Sequence, residues 1–154
     1  MPNMNWSQIS HLQLGKIAEY MAQTEFLSYG YECYDTVVDD RGIDFLVRKN
    51  GNVFEVQVKA VRNGNYTFIA KSKMPNPLTD GRLVCYMNFT DGSMPEVYVI
   101  PSTAWSVPNA VLVYKANELA ESKPEYGINY SKKNEDLLAP YKAESILGNH
   151  ASAE

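Results

Sequence analysis

Hydrophobic and polar residues alternate along two short runs of the chain, on either side of Asn50-Gly51. Alternation with a period of two predicts β-strands, and an Asn-Gly pair between two such runs predicts a hairpin with a type I′ turn. If these two residues form the turn, the partner of every residue across the hairpin is determined. We therefore predict antiparallel strands over 44–49 and 52–61, at the middle of a central sheet.

The two faces of this hairpin differ in chemistry. One is uniformly apolar and is predicted to face the core: Ile43, Phe45, Val47, Phe54, Val56, Val58 and Ala60. The other carries Asp44, Leu46, Arg48, Val53, Glu55, Gln57 and Lys59. A polar face is commonly only solvated, and the alternation leaves that interpretation open. Asp44 and Gln57 are nevertheless predicted to be opposed, with Cβ atoms about 4.5–5.5 Å apart, where two oxygen-bearing side chains can share a hard cation. Glu55 is expected to form an ion pair with Arg48 or Lys59.

The remaining pattern predicts one long helix and several more strands. Apolar residues at helical spacing predict a helix over 7–29, capped by Ser7 and ended by Gly30, with its apolar stripe formed by Ile9, Leu12, Ile17, Tyr20, Met21 and Leu27. Strands are predicted at 31–38, 66–71, 82–89, 96–101 and 110–115. The two prolines within 73–81 predict a loop there, and Pro140 interrupts a partly helical stretch over 134–147.

Composition is that of an ordinary folded domain. The chain has 154 residues, 45% hydrophobic and 21% charged, which predicts a single domain over 1–147 and a flexible tail over 148–154. No apolar run approaches the ~18 residues of a membrane span, and the first residues lack a signal-peptide pattern. Two cysteines without CxxC spacing and two histidines disfavour a disulfide scaffold and a zinc site. A cytoplasmic protein without a membrane partner is the simplest prediction.

The charge distribution is uneven. A net charge of −4 disfavours a non-specific DNA-binding protein, which is usually basic. A local basic patch can suffice, however, for a protein whose site itself carries acids. Arg62, Lys71 and Lys73 face only Asp80 within 61–81, so these three side chains are candidates for contact with phosphates.

The order and spacing of these motifs resemble the PD-(D/E)xK nuclease superfamily. Gly42-Ile43-Asp44 is followed by a hairpin and Gln57-Val58-Lys59, and a helix bearing Gly15-Lys16-Ile17-Ala18-Glu19 precedes them. The resemblance covers 12–61 well and 83–105 loosely. It implies an α/β fold with a restriction-endonuclease-like core, in which an N-terminal helix is followed by a central mixed β-sheet with further strands and short helices.

The resemblance also implies roles for individual residues. Asp44 matches the metal-binding aspartate, Gln57 stands at the acidic position of the final motif, and Lys59 matches its lysine. Mg²⁺ or Mn²⁺ would then be held by Asp44, Gln57 and the carbonyl of Val58, with Lys59 and Glu19 as the catalytic residues. Gly15 and Lys16, one turn before Glu19, join the candidates for nucleic-acid contact.

Two departures from the family pattern affect this interpretation. Gln57 replaces a carboxylate, a variant that resembles type IV restriction enzymes, and its neutral amide predicts weak metal binding without substrate. The long helix that the family has between its third and fourth core strands is not evident, because the corresponding segment is rich in proline.

Two functions therefore remain open. The first is a Mg²⁺-dependent endonuclease that hydrolyses DNA phosphodiesters, as a monomer or a homodimer. The second is a catalytically inactive nuclease-fold module that binds protein or nucleic acid. A small-molecule enzyme has no support, because the chain lacks a phosphate loop, a nucleophile elbow and a cofactor fingerprint.

Overall fold

The computed structural model describes residues 1–37, 41–119 and 122–151. Its helices and strands, in chain order, are α1 (His11–Ser28), β1 (Glu32–Asp35), β2 (Phe45–Lys49), β3 (Asn52–Arg62), β4 (Thr67–Ala70), β5 (Arg82–Phe89), β6 (Glu96–Pro101), β7 (Leu112–Lys115), β8 (Glu125–Ile128) and α2 (Ala143–Ala151). Short 3₁₀ turns lie at Trp6–Gln8, Lys71–Lys73, Ser102–Ser106, Glu135–Leu137 and Ala139–Tyr141. None of the described helices is long and apolar enough to cross a membrane.

Five strands form a central mixed sheet in the order β1-β2-β3-β5-β6. β3 and β5 are parallel, and the other neighbours are antiparallel. A second, antiparallel sheet has the order β4-β8-β7. The predicted α/β fold, with an N-terminal helix and a central mixed sheet, is confirmed.

The hairpin has the predicted register. β2 pairs with β3 from Lys49–Asn52 to Phe45–Val56. Asn50 and Gly51 have φ of 52° and 79°, as a type I′ turn requires. The regular ladder ends at the Phe45–Val56 pair, so Asp44 lies one residue outside β2.

The helix begins later than predicted. α1 starts at His11, and its N-cap is Ser10, whose hydroxyl accepts from the Gln13 N–H while the Gln13 side chain accepts from the Ser10 N–H. Ser7 does not cap the helix, because its hydroxyl and its N–H both donate to Asp91. A capping box uses two side chains, and it outcompetes a lone serine three residues earlier.

The buried face of α1 is also different from the predicted stripe. Its buried residues are Leu14, Ala18, Ala22 and Phe26. The predicted Leu12, Tyr20 and Leu27 are 85%, 62% and 54% exposed. The two small alanines let the helix axis approach the sheet closely, and the larger apolar residues then lie on the flank of the helix.

Three layers result from this packing. α1 covers one face of the central sheet, over a core that includes Phe45, Val56 and Leu83. The second sheet lies over the opposite face, over a core that includes Val84, Tyr86 and Trp105. The chain passes from β3 to β5 through β4 and the Lys71–Lys73 turn, with no helix in between. The absence of a long helix from this connection is as expected from its prolines.

The C-terminal helix reaches into the segment predicted to be a flexible tail. α2 continues to Ala151. Residues 152–154 lie outside the described part of the chain, as do 38–40 and 120–121.

Candidate functional site

Gln57 and Lys59 lie on the face of β3 that points away from α1. Side chains alternate along the strand, so Val56 is fully buried on the helix side while Gln57 and Lys59 face the other layer. Gln57 is only 6% exposed and Lys59 is half-buried. The polar face of the hairpin is therefore covered around Gln57, which excludes a merely solvated surface at this position.

Asp44 is fixed at the point where β2 begins. Its N–H donates to the Val56 carbonyl at 2.8 Å, and its Oδ2 accepts from the Val58 N–H at 2.7 Å. Thr36 Oγ1 donates to the Asp44 carbonyl at 3.2 Å. Because the N–H and C=O of one strand residue point to the same side, the Val58 carbonyl also points towards Asp44. The carboxylate and this carbonyl therefore lie on the same edge of β3.

The Gln57 amide is pressed against the segment just before Asp44. A Cβ on Gly42 would lie 2.7 Å from Gln57 Nε2, and Gly42 has φ of +77°. The lack of room for a side chain and the positive φ both require glycine at this position. Among the described residues, no protein group donates to the buried Gln57 Oε1. Leaving such an oxygen unpaired costs about 1–3 kcal/mol. This oxygen is therefore suited to an external donor or a cation.

Lys59 shares this environment with Asp44. Burial lowers the pKa of the Lys59 ammonium below its ordinary 10.5, and the negative charge of Asp44 opposes that shift. Burial is the larger of the two effects. An ammonium that is partly desolvated and close to one carboxylate can donate strongly to an anionic ligand.

Glu55 pairs with a residue that the sequence did not single out. Its Oε1 lies 3.3 Å from both Nε and Nη2 of Arg82, which is 4% exposed. The predicted pairing of Glu55 with Arg48 or Lys59 is therefore wrong, because the parallel neighbour β5 places Arg82 directly opposite Glu55. The charge of Arg82 at the start of an apolar strand was the only local indication of this role.

Arg82 also fixes the basic turn beside the site. Its Nη1 donates to the Lys73 carbonyl at 2.8 Å. A Cβ on Gly42 would lie 3.2 Å from the Lys73 Cβ, which places this exposed lysine next to Gln57. Lys71 is exposed on the same turn, with its Nζ 5.7 Å from the Tyr114 ring centroid. The structure therefore places the turn that carries two of the three predicted basic residues beside Gln57.

Arg62 is the exception. Its Nη2 donates to the carbonyls of Trp6 at 2.9 Å and Ile9 at 2.6 Å, and its Nε donates to Trp6 at 3.1 Å. As an even-numbered residue of β3, it lies on the helix side, opposite to Lys59. Arg62 therefore anchors the segment before α1, and the structure does not bring it to the site.

The predicted residues of α1 form a separate polar cluster. Lys16 Nζ lies 3.4 Å from Glu19 Oε2, and this hydrogen bond raises the pKa of Lys16. Apart from the adjoining part of α1, no described atom lies within 4 Å of the place where a Cβ on Gly15 would be, so close packing against another element does not explain this glycine. Glu19 is thus held on the helix by Lys16.

Two further polar residues connect α1 with the start of the hairpin. Gln23 Nε2 donates to Asp35 Oδ1 at 2.9 Å, and the charge of Asp35 contributes to the raised pKa of Lys16. Asp35 pairs with Phe45, the residue after Asp44. Sequence analysis missed Gln23 and Asp35, because only the pairing of β1 with β2 places them near this end of the sheet.

The candidate ligand set is poor in negative charge. In the described part of the chain, no group of three or more His, Cys, Asp or Glu side chains could hold a metal ion. The candidate oxygen ligands are one carboxylate, one amide and one main-chain carbonyl. A cavity of about 470 Å³ with five carboxylates lies elsewhere, between β6 and α2, and contains none of these groups.

Comparison with known proteins identifies the fold. No protein-family model matches the chain, and no curated protein matches it in sequence. The solved structure of Hjc, a Holliday junction resolvase from the archaeal hyperthermophile Archaeoglobus fulgidus, is similar with a TM-score of 0.55 and 10% identity, over 87% of this chain and 95% of that one. The bacterial homing endonuclease I-Ssp6803I is similar with a TM-score of 0.56 and 15% identity, over 94% of this chain and 98% of that one. The protein therefore has a nuclease-type fold, shared with a resolvase and a homing endonuclease.

Proposed function

We propose that the protein is a divalent-metal-dependent endonuclease that hydrolyses DNA phosphodiesters. The observation that carries this proposal is the meeting of Asp44, Gln57 and Lys59 at the start of the hairpin, with a buried amide oxygen that no described protein group pairs. The proposal is supported by the similarity of the fold to those of two nucleases, a Holliday junction resolvase and a homing endonuclease. A cytoplasmic location is part of the same proposal, because Cys33 and Cys85 are both free thiols.

The residues present fit a hard cation. Asp44, Gln57 Oε1 and the Val58 carbonyl would hold Mg²⁺ or Mn²⁺, and the unpaired amide oxygen is the observation that favours this assignment. A divalent cation, when bound, supplies Lewis-acid stabilisation to the phosphate. With only one formal negative charge in this set, we expect weak binding until a substrate phosphate adds its own oxygens.

The protein side chains position the phosphate and stabilise its charge. In hydrolysis, a water oxygen forms a bond to phosphorus while the bond from phosphorus to one bridging ester oxygen breaks. The Lys59 ammonium would donate to the phosphoryl oxygen on which negative charge increases. Lys71 and Lys73 would contact flanking phosphates from the rim, and Glu19 with Gly15 and Lys16 would line the edge nearer α1.

A specific observation favours a second candidate, a catalytically inactive nuclease-fold module that binds protein or nucleic acid. The site offers a neutral amide where the family has a carboxylate, and the described residues contain no cluster of three metal-ligating acids, histidines or cysteines. A fold of this kind can keep its surface and lose its chemistry. Protein or nucleic acid would then be the partner, and no metal would be required.

The test is cleavage of branched, single-stranded and duplex DNA with Mg²⁺ and with Mn²⁺. Lys59→Ala should lower the cleavage rate by about 10²–10³-fold, because one preorganised group that stabilises charge is removed. Lys132→Ala, a change at an exposed lysine outside the site, is the matched control and should cleave as the wild type does. Unchanged melting temperatures would show that both variants fold.

Two results would contradict the proposal. Wild-type protein that cleaves none of these substrates with either metal would favour the inactive module. Cleavage by Lys59→Ala at the wild-type rate would remove this lysine from the reaction.

A further inference from the structure

Arg82 connects the central sheet with the turn that lies against Gln57. Its side chain is 4% exposed, and its guanidinium has two partners. Nε and Nη2 each lie 3.3 Å from Glu55 Oε1, and Nη1 donates to the Lys73 carbonyl at 2.8 Å. Glu55 belongs to β3, whereas Lys73 is the last residue of the Lys71–Lys73 turn. One buried cation therefore links a strand of the site to a turn outside the sheet.

The main chain of Arg82 is held by the sheet. β5 pairs in parallel with β3, and the register places Arg82 opposite Glu55, on the face that also carries Gln57. The Glu55 N–H donates at 2.8 Å to the carbonyl of Gly81, the residue before Arg82. The side chain of Arg82 therefore extends from a fixed main chain, and its reach sets the distance of the turn from the sheet.

The turn completes the packing around Gln57. A Cβ on Gly42 would lie 3.2 Å from the Lys73 Cβ and 2.7 Å from Gln57 Nε2, so Gly42 lies against both residues. Protein interiors are close-packed, and a group whose neighbour moves away is free to change its orientation. If the turn moved outwards, the segment at Gly42 would lose this support, and the buried Gln57 amide would lose part of its cover.

An arginine suits this position better than a lysine does. Its planar guanidinium can donate to two partners at once in fixed directions, whereas the ammonium of a lysine is a point charge on a flexible stem. A charge taken out of water must be paired, and Glu55 provides that partner. The donor that remains is directed at the main chain of the turn, so this contact determines where the turn lies.

We propose that Arg82 is a positioning residue of the candidate site. It holds the Lys71–Lys73 turn against Gly42 and thereby keeps the Gln57 amide oxygen in the orientation that accepts a cation. Arg82 acts through the turn and not by contact with the cation or the substrate. The inference rests on the proposed function, in which Gln57 Oε1 is a metal ligand, but the order of the amide can be measured without metal.

The first test follows the Gln57 side-chain amide by proton–nitrogen NMR in the metal-free protein. Gln57→Glu identifies the two N–H resonances, because it removes them. Arg82→Met keeps a long unbranched side chain but removes the donor to Lys73. It should speed the exchange of the Gln57 amide protons with water by about fivefold or more, the factor expected when one hydrogen bond no longer opposes local opening.

Two control variants separate this contact from other effects. Arg48→Met makes the same change on the same face of the sheet, at an arginine that is 51% exposed and pairs with Glu32. Glu55→Gln keeps an oxygen acceptor for Arg82 and leaves the donor to Lys73 in place. Both variants should show the wild-type exchange rate at Gln57.

The second test is the affinity for Mn²⁺, measured by calorimetric titration. Groups that orient metal ligands without touching the ion typically change metal affinity by about 10- to 100-fold when they are removed. Arg82→Met should weaken Mn²⁺ binding by this factor, and Arg48→Met should bind as the wild type does. Thermal unfolding shows whether each variant is folded at the temperature of the titration.

A measurement on the wild type keeps the inference testable if Arg82→Met does not fold. The two Nη groups of Arg82 bind different partners, so rotation of the guanidinium should be slow and its Nη–H protons should give separate resonances. One averaged resonance at low temperature would overturn the inference.

The outcomes also separate this inference from the proposed function. A wild-type exchange rate in Arg82→Met, or an equal increase in Arg48→Met or Glu55→Gln, would overturn the role of Arg82 even in an active nuclease. Unchanged Mn²⁺ affinity in Arg82→Met would overturn it as well, where the wild type binds the ion. A wild type that binds no Mn²⁺ would contradict the proposed function, while faster exchange in Arg82→Met would still support the role of Arg82 in holding Gln57.

Discussion

The two faces of β3 show how one strand can serve stability and chemistry at once. Towards α1 it presents Val56, Val58 and Ala60 to a core with Phe45. Towards the second sheet it presents Glu55, Gln57 and Lys59, and the last two are largely withdrawn from solvent although both are polar. Burial alone therefore does not distinguish a hydrophobic core from a binding site. The two differ in whether the buried polar groups find hydrogen-bond or ionic partners within the protein.

On the helix side, Val56, Val58 and Ala60 pack against apolar residues, and the polar Arg62 donates to main-chain carbonyls. On the other side, the Glu55–Arg82 pair is satisfied, but the Gln57 amide oxygen is not paired by any described protein group. The first face should therefore respond to mutation in stability and the second in ligand binding. Four predictions test this contrast, from the largest expected effect to the smallest.

The largest effect is expected on the helix side. Phe45 is fully buried, and its ring centroid is 5.9 Å from that of Phe26. Phe45→Ala should lower the free energy of unfolding by about 3–5 kcal/mol, because it removes a large apolar side chain and leaves a cavity. Urea unfolding followed by circular dichroism measures this. Leu12→Ala, at an 85% exposed position of α1, should change stability by less than about 0.5 kcal/mol. Similar losses in the two variants would refute the observed orientation of α1.

The next effect concerns the Glu55–Arg82 ion pair on the polar face of β3. Glu55→Ala should lower the free energy of unfolding by about 1–2 kcal/mol, because Arg82 is buried and loses its charged partner while Glu55 itself is 40% exposed. Glu32→Ala is the control, since its partner Arg48 is 51% exposed, and it should cost at most about 0.5 kcal/mol. Thermal unfolding of both variants decides the comparison. Equal losses of unfolding free energy would mean that the burial of Arg82 does not increase the cost of removing its partner.

A smaller change is expected in metal affinity. Gln57→Glu should tighten Mn²⁺ binding by about tenfold or more, because the number of charged oxygen ligands sets the affinity for divalent cations. Asp44→Asn should weaken it, because it removes the one formal charge of the set. Calorimetric titration of Mn²⁺ into the wild type and both variants measures these shifts. If all three proteins bind alike, the ion is not held here and the inactive module becomes the better hypothesis.

The smallest effect is a difference in pH dependence. Burial lowers the pKa of Lys59 in the folded state, so the unfolded chain holds more protons between that lowered pKa and 10.5. Wild-type stability relative to Lys59→Met should therefore rise with pH through this window. Lys16→Met is the control, because the pKa of Lys16 is raised above 10.5. Below pH 10.5 Lys16 is therefore protonated in both the folded and the unfolded chain, and its contribution to stability does not depend on pH. If the difference in unfolding free energy between the wild type and Lys59→Met were the same at every pH, the burial of this ammonium would be contradicted.

The hairpin could be predicted because its determinants are local. Asn50-Gly51 accepts the positive φ values of a type I′ turn, and the period of two then assigns every side chain to a face. The register from Lys49–Asn52 to Phe45–Val56 was confirmed for this reason. The buried face of α1 could not be predicted equally well, because its apolar residues are compatible with more than one apolar stripe along the helix. The small side chains of Ala18 and Ala22 allow close packing on the sheet, and this decides which face is buried.

The sequence by itself thus determined the hairpin, its two faces, and the candidates Asp44, Gln57 and Lys59. Only the tertiary structure decided what covers Gln57, because Gly42 and the Lys71–Lys73 turn lie against it and are distant in sequence from each other. The tertiary structure also places Arg62 on the helix side of β3. It pairs Glu55 with Arg82, because the parallel strand β5 places Arg82 opposite Glu55. Turn chemistry and alternation act over a few neighbouring residues. Burial and charge pairing arise where separate layers meet, and a local pattern carries no information about which layers those are.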